Sequence, residues 1–357
     1  MKYLVQIIRF IVGITFVFSG FVKMIDPVGT KIKMLEYFSE EVLNLTFLNP
    51  WALEISIVLI LTEFVLGIWL LLGYRPVFTL RALLFISLIF LFLTWYSAYY
   101  NKVTDCGCFG DAVKLSTWET FYKNVILLVF ILFLNWQKHY IKPVVPSKIR
   151  TGIAHSAALL GLLLMIYSLR HLPVIDFRPY AVGKNIKEGM LIPEGAPQAR
   201  FKDIWYYKVN GQIKEFTTDE APWDIQGAEF VDRKTIMLSE GYVPPIHDFS
   251  IENEQEGDIT AAVLDAPEIY LVIAANPENI PAEAVRKVNA YARRLQKQDK
   301  KVIGLFSIVD DDIGKKFDFP LYLTDATTLK TMIRSNPGVI KLEKGTVVDK
   351  KAWRDLE

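Results

Sequence analysis

Both cysteines of this 357-residue chain fall in one short stretch, Thr104-Asp105-Cys106-Gly107-Cys108-Phe109-Gly110-Asp111. Two thiols one residue apart, with a glycine between them that is free to take positive φ, close only a small disulfide ring. Such a ring is strained and therefore easier to reduce than an ordinary structural disulfide. In an oxidising compartment the pair would cycle between dithiol and disulfide by exchange with a partner protein or a membrane quinone. The alternative is a permanent staple that pins the loop, although so small a ring removes little chain entropy. Zinc would want four ligands, and the four histidines, His139, His155, His171 and His247, all lie far from the pair in sequence. The expected metal set is accordingly none, and a haem site has no support.

The elements that must position this loop are membrane helices. A hydrophobic content of 52% is too high for an ordinary soluble protein, and the excess lies before residue 170. Apolar runs long enough to span the bilayer occur at Leu4 to Val22, Trp51 to Leu72, Val77 to Tyr96, Phe121 to Trp136 and Ile153 to Leu169. The first is too long for a signal peptide and lacks a small-x-small cleavage site. Lys2, Arg9, Arg75, Arg81, Lys138, Lys142, Lys148 and Arg150 mark the ends expected to face the cytoplasm. The cysteine loop and the carboxyl-terminal half are then expected outside, in the periplasm of a bacterial cytoplasmic membrane. On that same side Ile32, Leu35, Phe38, Val42 and Leu45 recur at helical spacing, which predicts a helix lying on the membrane surface. Ser116-Thr117-Trp118-Glu119 reads as a capping box opening the fourth span, so the cysteines sit just above a helix amino terminus, which favours a thiolate. Lys102 and Lys114 would add to that effect, and Asp105 and Asp111 would oppose it. No basic tract large enough to follow a phosphate backbone is present, so nucleic acid is not an expected partner.

Three charges fall in or at the edge of these spans: Lys23, Glu54 and Glu63. Unpaired charge is expensive there, so each normally faces protein or water and is a functional candidate. A pair of Lys23 with Glu63 or Glu54 would either pass protons to the cysteine loop above or tie helices together. Lys23 can also snorkel to the interface.

Ser19-Gly20-Phe21-Val22-Lys23 with Asp26-Pro27, then Glu63 with Gly67 and Gly73, then Cys106-Gly107-Cys108-Phe109-Gly110-Asp111, together resemble the MauE/DoxX family over residues 1 to 140. The resemblance implies a compact four-helix membrane bundle. Its MauE branch implies periplasmic disulfide or electron-transfer chemistry, including maturation of methylamine dehydrogenase. Its DoxX relatives imply quinone-linked oxidation, so a quinone is the one cofactor brought into question. The loop residues Asp105, Gly107, Gly110 and Asp111 would then support the catalytic candidates Cys106 and Cys108. The layout also has an analogy to vitamin K epoxide reductases, but their Cys-x-x-Cys centre and shuttle cysteines are missing here, so any shuttle thiols belong to a partner.

Past His171 the pattern changes to short elements and turns. An extended linker runs through Pro173, Arg178, Pro179, Gly189, Pro193 and Pro197. Ile204 to Val209 and Gln212 to Phe216 flank Asn210-Gly211, a strong hairpin signal. A strand at Ile269 to Ala274, a helix at Ala282 to Lys297 and a strand at Lys301 to Ser307 make a βαβ unit. Leu321 to Thr324 follows as a strand, Thr328 to Arg334 as a helix, and Val339 to Leu342 with Thr346 to Asp349 as a closing hairpin. This order resembles the thioredoxin-like fold over residues 246 to 357, with Pro337 at the place of its cis proline. The resemblance puts the redox pair at Ala275-Asn276-Pro277-Glu278-Asn279-Ile280, where no cysteine stands. Such a domain exchanges no thiols itself and would present a partner through a groove at Pro337.

The expected fold is thus membrane α-helical: a four-helix bundle (1–140), a fifth transmembrane helix (151–170), an extracytoplasmic linker with a small β module (171–245) and a cysteine-free α/β, thioredoxin-like domain (246–357). The expected function is thiol–disulfide exchange between Cys106/Cys108 and a periplasmic protein or membrane quinone, in contact with lipid. The alternatives are a non-enzymatic assembly scaffold with a structural disulfide, and a subunit of a quinone-linked oxidoreductase complex.

Overall fold

The structure, a computed structural model, describes residues 1–103, 107, 109–113, 115–239, 241–253 and 255–357. Among these, five helices are long and apolar enough to cross a membrane: α1 (Lys2–Ile25), α3 (Ala52–Leu72), α4 (Pro76–Tyr100), α5 (Thr117–Trp136) and α6 (Ser147–Arg170). The chain is a multi-pass membrane protein. Helix α1 packs along α3, α4 along α5, and α6 closes on α3 and α1. Val5, Val12, Phe16, Leu70, Leu80, Leu83, Ile131 and Leu134 are buried between them. Phe10, Val58, Phe85 and Ile126 stay exposed on the outside of the bundle, as lipid-facing side chains must.

Arg9 ties one end of the bundle together. Its guanidinium, buried at 4% exposure, donates to the carbonyls of Leu70, Leu71 and Lys142 at 2.8–3.1 Å and to Gln6 Oε1 at 2.8 Å. The last carbonyls of α3 have no intrahelical partner, and Arg9 supplies donors to two of them. Gly73 ends the helix at φ +64, and Pro76 opens α4.

At the opposite end lies α2 (Pro27–Phe38), started by the Asp26 side chain accepting from the Gly29 amide and by Pro27 in the first turn. The apolar periodicity predicts this helix as far as Leu45, but it stops at Phe38. Ser39 is extended, Asn44 takes φ +51, and the Leu45 amide donates back to the Phe38 carbonyl. Val42 and Leu45 therefore pack from a turn rather than from a helix, in a cluster with Tyr37, Phe38, Ala52 and Val103. The same end of the bundle carries the loop between α4 and α5 and the start of the carboxyl-terminal half.

That half begins with a strap from His171 and a short helix α7 (Ile186–Met190). A three-stranded antiparallel sheet follows, β1 (Arg200–Val209), β2 (Gln212–Thr217) and β3 (Glu229–Ser239), in the order β2-β1-β3. Its hairpin turns at Asn210-Gly211 with φ of 53° and 82°, the primed geometry that matches strand twist. Strand β3 has no period-two pattern and is exposed along its whole length, so no alternation marked it in the sequence.

The last 110 or so residues form β4 (Glu252–Asn253), β5 (Gly257–Asp258), α8 (Thr260–Leu264), β6 (Ile269–Ala274), α9 (Ala282–Gln296), β7 (Val302–Phe306), α10 (Asp311–Gly314), β8 (Leu321–Leu323), α11 (Ala326–Met332), β9 (Gly338–Glu343) and β10 (Thr346–Ala352). They build a sheet of order β10-β9-β6-β7-β8-β4-β5, in which β6, β7 and β8 run parallel and β9 antiparallel to β6. Alternation divides its core between two faces: Leu271 and Ile273 of β6 join α11 on one side, Val272 and Ala274 join α9 on the other. The Asn336–Pro337 peptide is cis.

Candidate functional site

Within the bundle, Lys23 reaches Glu63 across the α1–α3 contact. Lys23 Nζ lies 2.8 Å from Glu63 Oε1 and 3.0 Å from Oε2, with side-chain exposures of 6% and 1%. Ser19, one turn before Lys23, donates to Glu63 Oε2 at 3.0 Å, and the Phe90 ring of α4 lies 4.9 Å from the ammonium. The pairing fits the physics of a low-dielectric interior, where buried charge is tolerated only when matched and hydrogen-bonded. A cavity of about 20 Å³ adjoins the pair, lined by Ser19, Lys23, Glu63, Ser87 and Asn124. The third candidate charge is elsewhere. Glu54 is exposed in the first turn of α3, nine residues from Glu63 and so roughly 13 Å along the axis.

Cys106, Cys108 and Asp105 lie outside the described residues, as does Lys114, but Gly107, Gly110 and Asp111 of the same loop are described. Gly107 takes φ +62, and a side chain there would come within 3.1 Å of Lys33 on α2; Gly110 takes φ +52 and would meet Val22 on α1 at 3.1 Å. Gly107 thus lies against the middle of α2 and Gly110 against the last turn of α1. Phe109 seats it further, its ring 5.6 Å from Phe18 and 4.3 Å from the Lys123 ammonium. At the loop's far end Ser116 and Glu119 make the reciprocal capping box.

Above Lys23 opens a chamber of about 210 Å³ whose lining comes from both halves of the chain. Lys23, Asp26 and Lys33 belong to the membrane half, Gly107, Gly110 and Asp111 to the cysteine loop, Asp176 and Arg178 to the strap, and Lys330 and Arg334 to the outer domain. Arg334, 8% exposed, donates to Asp26 Oδ2 at 2.8 Å and stands 3.8 Å from Asp111 Oδ2. Arg178 fastens the strap, donating to Asp176 at 2.7 and 2.8 Å and to the Thr331 carbonyl at 3.0 Å. Pro337 is not among the lining residues of this chamber. Its neighbours Ser335 and Asn336 line a second cleft of about 490 Å³ that runs between α2 and Ala275-Asn276, where Asn336 and Asn276 exchange hydrogen bonds.

Asp26, Arg334, Asp176 and Lys350 are site residues that the sequence reading did not single out as such. Only Asp26 had a local signal, the Asp-Pro helix start. The others are brought in by tertiary folding over sequence separations of 174 and 308 residues.

Lys350 Nζ, its side chain 4% exposed, donates to Asp176 Oδ2 at 2.7 Å and to the Tyr180 carbonyl at 3.2 Å. Burial, with Arg178 and Arg334 close by, pushes its ammonium down to about 8 against the pull of Asp176. Burial alone would raise the Asp176 carboxyl, but Arg178 and Lys350 overcome it and hold it below its usual range. Between pH 8 and the ordinary lysine value the unfolded chain keeps a proton that folded Lys350 has released, so stability rises with pH across that window. Lys350→Met is expected to flatten the rise, removing about 1–3 kcal/mol of it, while Arg178 still neutralises Asp176. Denaturant midpoints of both proteins from pH 7 to 10.5 check this; parallel curves would refute it.

Residues 1–137 match the family model described as methylamine utilisation protein MauE. The MauE match spans α1 to α5, and so holds the Lys23–Glu63 pair, α2 and the cysteine loop, and it stops before α6. Residues 204–240 match a domain of unknown function, DUF8463, which coincides with the three-stranded sheet. No curated protein and no solved structure matches the chain. The MauE-like segment and the outer domain thus meet at the chamber, since one supplies Asp26 and Asp111 and the other Arg334.

Proposed function

We propose that the chain is a thiol–disulfide exchange protein of the bacterial cytoplasmic membrane, in which Cys106 and Cys108 react with an extracytoplasmic protein. The observation that carries this reading is a buried, hydrogen-bonded Lys23–Glu63 pair at the floor of a chamber that Gly107, the residue between the two cysteines, helps to line. A partner thiolate attacks the Cys106–Cys108 disulfide, breaking the S–S bond and forming a mixed disulfide, and the partner's second thiolate then displaces it. The partner leaves oxidised by two electrons, and the pair takes up two protons as it becomes a dithiol. Lys23, backed by Glu63 and Ser19 at the chamber floor, supplies a proton. A second protein disulfide, by the reverse exchange, returns the pair to its oxidised form.

The outer domain is read as thioredoxin-like: Ala275-Asn276, between β6 and α9, stand where such folds carry cysteines, and the domain serves as a partner-presenting wall beside Pro337. The MauE description, drawn from methylamine utilisation, suggests as partner class an extracytoplasmic enzyme under maturation. A quinone is not used in this reading. The space beside Lys23 and Glu63, about 20 Å³, holds roughly one water, which can carry a proton from the pair.

The competing reading is a non-enzymatic scaffold with a fixed disulfide, favoured by the ionic ties that hold the outer domain to the loop. Acid-quenched cells alkylated with a mass tag, sampled after a short reductant pulse, separate the two. Exchange predicts rapid re-oxidation of the pair and loss of function in Cys106→Ser and Cys108→Ser. A disulfide that resists the pulse, with both serine variants functional, would leave the scaffold.

A further inference from the structure

Arg334 has an unusual position: it is the last residue before the Ser335-Asn336-Pro337 turn of the outer domain, yet its guanidinium is buried against the membrane half. It donates to Asp26, the residue that caps α2, stands 3.8 Å from Asp111 of the cysteine loop, and donates to the Lys330 carbonyl of α11, the helix just before it. Room for it depends on Gly29, where a side chain would come within 3.1 Å of its Nη2 and 2.6 Å of Asp26 Oδ2. One planar group with donors in a fixed fork thus joins three segments, which a lysine's single ammonium does less well.

We infer that Arg334 is a positioning residue for the cysteine loop, clamping the outer domain over it through Asp26 and Asp111 so that the roughly 210 Å³ chamber admits small molecules and extended chain but not folded protein. The inference deepens the exchange reading by assigning the outer domain's docking as the control of which thiols reach Cys106 and Cys108. The exposed Lys187–Asp265 pair of the outer half, which lines no part of the chamber, provides a control.

The test uses the full chain in lipid nanodiscs, reduced with a phosphine. The two thiols are alkylated with N-ethylmaleimide and, separately, with a maleimide coupled to a small folded protein. Arg334→Gln is expected to raise the large-to-small rate ratio about tenfold, the factor carried by one charge-assisted hydrogen bond. Asp26→Asn, which keeps a helix cap while removing the charge, is expected to do the same, and Arg334→Lys, with a single ammonium in place of the fork, to keep only part of the protection. Lys187→Met, in an exposed pair with Asp265 that lines no part of the chamber, should leave the ratio within about twofold. An unchanged ratio in Arg334→Gln and Asp26→Asn overturns the clamp; should Arg334→Gln fail to fold, Asp26→Asn decides alone. Because chemical reduction precedes labelling, the ratio is read whether or not the pair cycles in cells, so failure of the exchange reading leaves this measurement standing.

Discussion

Glu63→Leu with Lys23 left in place is expected to cost about 3–5 kcal/mol, because it strands an ammonium at 6% exposure inside the bundle. Lys23→Met is expected to cost as much from the other side, leaving a buried carboxylate without its ammonium and with the Ser19 hydroxyl still donating to it. The double variant, Lys23→Met with Glu63→Leu, should recover most of that loss, since a matched pair of apolar side chains carries no desolvation penalty. Function should part company with stability at this point. A structural pair predicts that the double variant re-oxidises its cysteines at the parent rate, whereas proton supply at the loop predicts a slowing of about 10²-fold or more. Thermal unfolding in detergent together with re-oxidation after a reductant pulse gives both readings on the same three proteins. A double variant that is stable and fast would remove Lys23 and Glu63 from the mechanism and leave them as a helix tie.

Much of this arrangement is legible in the sequence because it rests on local or strongly periodic signals. Five apolar runs gave five spans, since a bilayer accepts little else. Ser116 and Glu119 gave the capping box, and Asn210-Gly211 gave the hairpin, because each is a contact between residues a few positions apart. The choice between Glu54 and Glu63 as the neighbour of Lys23 was not local. Both glutamates are on one helix, and only the depth at which α1 meets α3 distinguishes them. The end of α2 was misjudged for a related reason: Val42 and Leu45 keep helical spacing, yet their burial comes from a turn that folds back on Phe38. Periodicity reports which side chains are buried, not which backbone buries them. The junction was invisible for a third reason. Arg334, Lys350 and Asp176 are ordinary surface-type residues in sequence, and become buried only when the outer domain docks. No spacing rule connects Asp26 with Arg334.

Gly67→Val is expected to be the most damaging substitution that leaves every charge in place. A Cβ at Gly67 would lie 2.8 Å from the Val17 amide nitrogen and 3.0 Å from the Gly13 carbonyl oxygen, and one at Gly20 would lie 2.8 Å from the Phe64 nitrogen. These obstacles are backbone, so α1 and α3 must move apart, as expected where small residues let membrane helices approach closely. Overpacking of this kind costs about 1–3 kcal/mol or more. Gly67 is one turn from Glu63 on the same face, so a separation of about 1 Å also takes the 2.8 Å Lys23–Glu63 contact beyond hydrogen-bonding range. Gly67→Val should therefore lose stability and exchange rate together, with Gly67→Ala following in the same direction by a smaller amount. Gly161→Ala is the contrast. Its new Cβ would meet Met24 Sδ at 2.8 Å and Leu61 Cδ1 at 3.3 Å, both ends of flexible side chains that can turn aside, so it should cost less than about 1 kcal/mol and leave exchange unchanged. Equal losses for Gly67→Ala and Gly161→Ala in thermal unfolding would mean that the α1–α3 approach does not set the geometry of the ion pair.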